Sequence, residues 1–275
     1  MTDALSFPFV QRALVAVLLA APLLGGLSHL VVARRLAFFS AAIGQAVLTG
    51  VALGVLLGEP VDAPWGSVFG FSLLTGVVLV FVRRRSVLPP DTLVGVLLAF
   101  TLGLGVCLLV AVTKRFNVHQ LEAVMFGSVL TVRGVDLALL AGTGVVTAGV
   151  VGPLANRLVV QAVDARLSAA ARWPEARDEY LFVVVLTAAI VVSVKVMGAL
   201  MVEAMLVVPA AAARNLASSA RGAFAWSVVV ALLAAVAGLG VSTQVNVPSG
   251  AAIVLGLALA FASSLAPALG RRRQK

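Results

Sequence analysis

Long apolar stretches recur along the whole of this 275-residue chain. A helix needs about 20 apolar residues to cross about 30 Å of hydrocarbon. Nine stretches approach or reach this length: 13–32, 38–57, 66–82, 93–112, 135–152, 180–196, 198–212, 224–241 and 250–269. Only residue 197 separates the sixth stretch from the seventh, so eight spans are the alternative. The sequence predicts an all-α polytopic membrane protein, with residues 1–275 forming a single transmembrane domain.

The composition supports this class of protein. Charged residues make up 11% of the chain, against about 25% in soluble domains, and the mean hydropathy is +1.12. The net charge of +9 comes from short basic runs at the ends of apolar stretches. Such runs are typical of membrane orientation signals and contacts with lipid headgroups, so nucleic acid is not an expected partner.

The distribution of Lys and Arg predicts the orientation. With the C-terminal run 271–275 inside, alternation of nine spans places 15 of the 20 basic residues on the inner side. Cytoplasmic loops carry this excess, so we expect an outer N-terminus and an inner C-terminus. With one span fewer, the N-terminus would lie inside.

The chain lacks the residues for nucleotide hydrolysis or common hydrolytic catalysis. No P-loop motif occurs, and none of its three lysines lies in a glycine-rich loop. The only histidines are His29, within the first span, and His119, in an outer loop, which makes a Ser-His-Asp triad a poor interpretation. We predict that the chain is not an enzyme and holds no cofactor of its own.

Apart from Asp136, at the very start of the fifth span, Glu203 is the only acidic residue inside a predicted span. An ionisable group there costs about 2.5–3.5 kcal/mol on insertion scales and usually faces a cavity or a partner. Glu203 is therefore a candidate pathway residue, although a protonated or hydrogen-bonded side chain in the bundle interior is the alternative. Gln45 is a weaker candidate in the second span, whose glycines favour close helix approach.

Two segments do not fit plain spans. Residues 121–130 are too short to cross, and we interpret them as a re-entrant helix at the outer mouth or an ordinary interfacial helix. After Pro209, an Ala-rich segment carries Arg214 and Asn215. This pattern predicts a short amphipathic cytoplasmic helix that joins the membrane domain to a soluble motor.

Five stretches of the chain resemble, in order, the membrane permeases of zinc and manganese ABC importers. An Arg-Arg-x-Ala-Phe turn leads into a helix that ends Gly-Val-Ala-Leu-Gly within residues 32–54. The other four are Asp91–Gly95, Phe126–Leu130, Gly198–Arg214 with its Leu-Val-Val-Pro-Ala-Ala core, and Val247–Leu255. Each motif alone is weak, but the ordered set covers most of the chain.

The resemblance implies a multi-pass subunit of the bacterial cytoplasmic membrane. It implies a second copy of the chain, cytoplasmic ABC ATPase subunits that bind ATP, and an extracytoplasmic metal-binding protein. Pro209, Arg214 and Asn215 are then the expected contacts with the ATPase.

The chain departs from the family at the pathway. Members usually carry Asp and, four residues later, His in the second span, where this chain has Ala41 and Gln45. Asn246 stands where many members carry Asp. Ala41, Gln45 and Glu203 are the predicted pathway residues, with Glu203 replacing some of the lost polarity, and no metal ligand is assigned.

Two other functions remain open from the sequence. An ion-coupled secondary carrier would use Glu203 as its coupling carboxylate and need no ATPase. A non-transporting membrane scaffold would need no acid in a span.

Overall fold

The computed structural model describes residues 8–60, 64–112, 132–245 and 247–272. These residues form ten helices and no strand. In chain order the helices are α1 Pro8–Ala33, α2 Phe39–Leu56, α3 Trp65–Arg85, α4 Pro90–Val112, α5 Gly134–Val163, α6 Ala165–Ala170, α7 Glu175–Met197, α8 Ala199–Leu216, α9 Ala220–Val245 and α10 Ser249–Arg272.

The predicted count of nine spans is confirmed within the described residues. All of these helices except α6 are long and apolar enough to cross a membrane. The doubtful boundary between the sixth and seventh spans lies at Gly198, where φ is 85° and ψ is 155°. Only glycine adopts this backbone region readily, so this single residue ends α7 and begins α8.

Helix α7 is the most deeply buried of the nine. Of its most apolar stretch 72% is buried, against 17% for α4 and for α5. It packs against α2, α3, α5 and α8, while α1 packs mainly against α5, α8 and α9. The largest fully buried side chains of α7 are Phe182, Leu186, Ile190 and Met197. The exposed apolar sides of α4 and α5 suit contact with lipid, which is as apolar as these side chains.

Small residues in α2 permit the close helix approach that the sequence predicts. A Cβ atom added to Gly50 would lie 2.7 Å from Cα of Val68 in α3, which is too short for any side chain. On another side of α2, the Thr49 hydroxyl donates to the Thr101 carbonyl of α4 over 3.0 Å. The backbones of α2, α3 and α4 therefore approach at positions where larger side chains would separate them.

The structure corrects the expected form of the segment after Pro209. Pro209 lies inside α8, which continues to Leu216 as one helix, so no separate cytoplasmic helix follows the proline. A proline within a helix disturbs the hydrogen bonds of the preceding turn. Here the next backbone N–H, that of Ala210, donates to Ser28 Oγ of α1 over 3.0 Å in a buried position. This contact with α1 satisfies a backbone N–H beside the proline, where the hydrogen bonds of the helix are disturbed.

The helix ends agree with the predicted alternation of sides. Polar residues from the ends of α1, α3 and α5 and the start of α7 meet at one face, and residues from the start of α3 and α5 and the end of α7 meet at the other. The predicted outer segment 121–130, with the family motif within it, and Asn246 lie outside the described residues.

Candidate transport pathway and coupling face

Helix α2 presents one partly exposed stripe. Ala41, Gln45, Leu48 and Val55 recur at helical spacing and are each half-buried. Ala42, Ile43 and Ala46, which lie between Ala41 and Leu48, are fully buried. Residues three and four apart share a helix face, so Ala41 and Gln45 lie on the same open side of α2, as predicted from their spacing.

Helix α8 presents a similar stripe that carries a carboxylate. Leu200 is 47% exposed, Glu203, Val207 and Ala211 are half-buried, and Arg214 is exposed. Glu203 lies in the second turn of α8, about 7.5 Å along the axis from the Gly198 break. Its carboxyl group has no ion pair or hydrogen bond to any residue the structure describes, so its oxygens are available to a ligand.

The two stripes belong to neighbouring helices. Helices α2 and α8 are in contact, and a Cβ atom added to Gly44 would lie 3.4 Å from Cβ of Ala199. No hydrogen bond joins Gln45 to Glu203 in the described part of the chain. Carboxylate and carboxamide oxygens are hard ligands that suit cations such as Mn²⁺ better than soft metals.

One copy of the chain does not bring a complete set of metal ligands together in the described ranges. No group of three or more His, Cys, Asp and Glu side chains is close enough to hold a metal there. Glu203 and Gln45 of one copy therefore do not form a closed metal cage.

The predicted coupling residues lie at the inner end of α8. Arg214 is exposed in its last turn, where a cation interacts favourably with the helix dipole. The Asn215 side chain is partly buried and its Nδ2 donates to Ser264 Oγ of α10 over 3.0 Å. Of the two residues, Arg214 is thus the one that projects outward, while Asn215 joins α8 to α10.

Sequence reasoning did not anticipate a buried polar network at the inner face. An Arg34 guanidinium nitrogen donates to Gln161 Oε1 over 2.6 Å, and Gln161 Nε2 donates to Asp178 Oδ2 over 2.9 Å. Arg34 is 8% exposed and Asp178 is 1% exposed. Burial lowers the pKa of Arg34, an effect that the nearby Glu179 carboxylate opposes. The guanidinium keeps its charge, because arginine does not lose its proton in proteins.

The network extends to α3 through Glu179 of α7. Its two carboxylate oxygens accept Arg83 at 3.2 Å and Arg84 at 3.1 Å. The sequence signal for these contacts was the pair of acids at the start of an apolar span, opposite the basic runs. The basic runs alone indicate orientation signals and lipid-headgroup contacts, and the structure adds these ion pairs.

A second polar cluster joins the same helices at the outer face. Lys195 Nζ lies 3.2 Å from Asp136 Oδ1 of α5 and 3.9 Å from the ring centroid of Trp65 in α3. A cation over the face of an indole ring is attracted by its electron density. Helices α3, α5 and α7 are therefore connected at both ends.

In the described residues, nine long apolar helices and polar contacts at both ends of the bundle define a multi-pass membrane protein. Its intramembrane carboxylate is a candidate for an ion or substrate pathway. The chain belongs to the ABC 3 transport family, whose sequence model matches residues 6–268.

Characterised relatives match over nearly their whole length. The manganese import system permease protein ScaB of Streptococcus gordonii is 29% identical over 255 residues, which cover 93% of this chain and 90% of that protein. The high-affinity zinc uptake system membrane protein ZnuB of Haemophilus influenzae is 26% identical and covers 94% of this chain and 96% of its own. The structure of PsaBC from Streptococcus pneumoniae in complex with Fab superposes with a TM-score of 0.81 at 28% identity, over 96% of this chain and 93% of that one.

Proposed function

We propose that this chain is the membrane permease subunit of an ATP-binding-cassette importer for divalent metal ions of the manganese or zinc class. Two copies form the transport path, separate cytoplasmic ATPase subunits bind and hydrolyse ATP, and an extracytoplasmic protein delivers the metal. The observation that carries the proposal is a free carboxylate, Glu203, on an open face of α8 beside α2, in a fold that superposes on PsaBC.

The cargo follows from the ligand chemistry of this face. Glu203 and Gln45 offer oxygen ligands, and the positions provide neither a thiolate nor an imidazole. One Glu203 from each copy near a two-fold axis would supply two carboxylates to one cation. Carboxylate and carboxamide oxygens suit Mn²⁺, whereas thiolate ligands would suit Zn²⁺. Manganese is therefore the cargo we favour within this class.

The ATPase partner is inferred from the family and from the inner end of α8. Arg214 projects there, and Asn215 joins that end to α10. A push on this end would pass along α8 to Glu203, because Pro209 does not interrupt the helix. The segment is thus suited to transmit motion from a soluble motor to the path.

Uptake of radioactive manganese into liposomes tests the proposal. We expect uptake by the full-length permease only with its ATPase, its binding protein and ATP. In that complete system, Glu203→Gln is expected to lower uptake by at least about tenfold, equivalent to about 1.4 kcal/mol of lost interaction. Asp91→Asn is the matched control, because Asp91 is an exposed acid in the first turn of α4, and it should retain wild-type uptake.

The unpaired state of Glu203 also suits a secondary carrier, and the same assay separates the two functions. Uphill uptake by the permease alone, driven by a proton or ion gradient, would replace our proposal with that alternative. Wild-type uptake by Glu203→Gln at all manganese concentrations would show that the Glu203 carboxylate does not line the transport path.

A further inference from the structure

A wide groove lies between α1, α5 and the first turn of α9. Its volume is about 1010 Å³, at the upper end of the range of about 300–1,000 Å³ for ligand sites. No residue of α2 or α8 lines it. The groove is therefore separate from the face that carries Gln45 and Glu203, and the proposed transport function does not account for it.

The walls of the groove are mostly apolar, and small residues recur on the wall formed by α5. Gly144, Ala148 and Gly152 line it on α5. A Cβ atom added to Gly144 or Gly152 would meet no atom within 4 Å. Val145 at the rim is 73% exposed. The groove is thus open to its surroundings, and these surroundings are hydrocarbon because α1 and α5 are membrane spans.

The polar side chains of the groove gather towards its inner end. His29, Asn156 and Arg221 line that part, while Thr147 is the single polar residue farther out. Arg221 is the second residue of α9 and is exposed. By the distribution of basic residues, this end of α9 faces the cytoplasm. The groove therefore combines an apolar body with one cation at the level of the inner headgroups.

The depth of the groove along α1 corresponds to one leaflet. Its lining on α1 runs from Leu19 to Leu30, about 16 Å of helix axis, and α9 contributes only residues 220 to 224. Half of the hydrocarbon thickness is about 15 Å. Along α5 the lining runs from Leu140 to Val160, about 30 Å of helix axis, so the wall formed by α5 continues beyond the inner leaflet.

We propose that this groove binds an anionic phospholipid of the inner leaflet. The acyl chains lie against the small residues of α5, and the phosphate lies at Arg221, with Asn156 and His29 beside it. Basic pockets between spans on the cytoplasmic side bind anionic headgroups in this way. The charge of Arg221 selects an anionic over a zwitterionic headgroup, while the apolar walls hold the chains of either.

Native mass spectrometry of the delipidated full-length permease tests this site. Phosphatidylglycerol and phosphatidylethanolamine are titrated separately, and bound lipid is counted. Gly144→Leu and Gly152→Leu fill the groove and are expected to weaken the tightest phosphatidylglycerol site by at least about tenfold, because several methylene contacts are lost. Gly142→Leu and Gly149→Leu are matched controls, because these glycines also have open space at Cβ but do not line the groove. Both controls should bind like wild type.

The headgroup is tested with Arg221→Gln. Removing one basic residue near the surface costs about 1 kcal/mol, so the preference for phosphatidylglycerol should fall about fivefold. Arg177→Gln, an exposed arginine at the start of α7, should keep the preference.

Three results would overturn the proposal. The first is unchanged phosphatidylglycerol binding in Gly144→Leu and Gly152→Leu. The second is a loss of phosphatidylglycerol affinity in the two control variants as large as in the groove-filling variants. The third is an unchanged headgroup preference in Arg221→Gln. Loss of the dimer in Gly144→Leu without loss of lipid would show that a second copy occupies the groove instead.

Discussion

Replacing Gln161 by Met should destabilise the protein, because Gln161 connects two buried charges. Its carboxamide accepts from Arg34 and donates to Asp178. Met has a similar length but forms neither bond. A hydrogen bond to a charged group contributes about 1.5–3 kcal/mol, so two such bonds give about 3–6 kcal/mol.

The expected loss lies at the lower end of this range. Gln161 is half-buried, so water can enter after the substitution, and the attraction between Arg34 and Asp178 persists. Neither charge regains full hydration, however, because both side chains are buried. We therefore expect Gln161→Met to lower the free energy of unfolding by about 3 kcal/mol.

Unfolding of the purified permease in mixed micelles with increasing dodecyl sulfate measures this change. The three tryptophans report the transition by fluorescence. Gln244→Met is the matched control, since Gln244 is an exposed residue near the end of α9. A surface substitution of this kind usually changes stability by less than about 0.5 kcal/mol. If Gln161→Met differs from Gln244→Met by no more than this, the network adds no net stability and the reasoning is wrong.

The remaining predictions concern the path, the coupling end and the helix break. In the Glu203→Gln variant, Ala41→Asp together with Gln45→His should partly restore manganese uptake in liposomes, because residues four apart share a helix face; no recovery would separate α2 from the path. Arg214→Glu should leave the permease folded and inserted but uncouple ATP hydrolysis from uptake, and full coupled uptake would contradict the assigned contact. Gly198→Ala should lower the free energy of unfolding by about 1–3 kcal/mol in the micelle assay, because φ of 85° is strained for alanine, and an unchanged midpoint would refute this.

Hydropathy was sufficient to predict the spans but not all of their ends. The fifth span was expected over 135–152, whereas α5 continues to Val163. Asn156, Arg157 and Gln161 end the apolar pattern without ending the helix, because polar residues are as compatible with a helix outside the membrane as apolar ones are within it. The apolar pattern thus indicates where the hydrocarbon layer ends along α5, and the helix extends beyond that point.

The candidate site was predictable only where local helix geometry determines it, and not where contacts between distant residues do. The spacing of Ala41 and Gln45 placed them on one face, which local geometry determines. Whether the Asn215 side chain can contact a partner protein depends on Ser264 of α10, which lies 49 residues later in the chain. The sequence does not reveal the hydrogen bond between them. The sequence predicts a separate cytoplasmic helix after Pro209, because it does not reveal that Ser28 of α1 accepts the Ala210 N–H.

The two polar clusters constrain how α7 can move. Asp178 is held at the inner face and Lys195 at the outer face, and 17 residues of helix between them span about 25 Å. A slack of 1 Å at one end then permits a tilt of only about 2°. While both contacts persist, α7 therefore cannot pivot about one of its ends. A larger tilt of α7 requires α3 and α5 to move with it, whereas α8 can move separately, because its joint with α7 is the one residue Gly198.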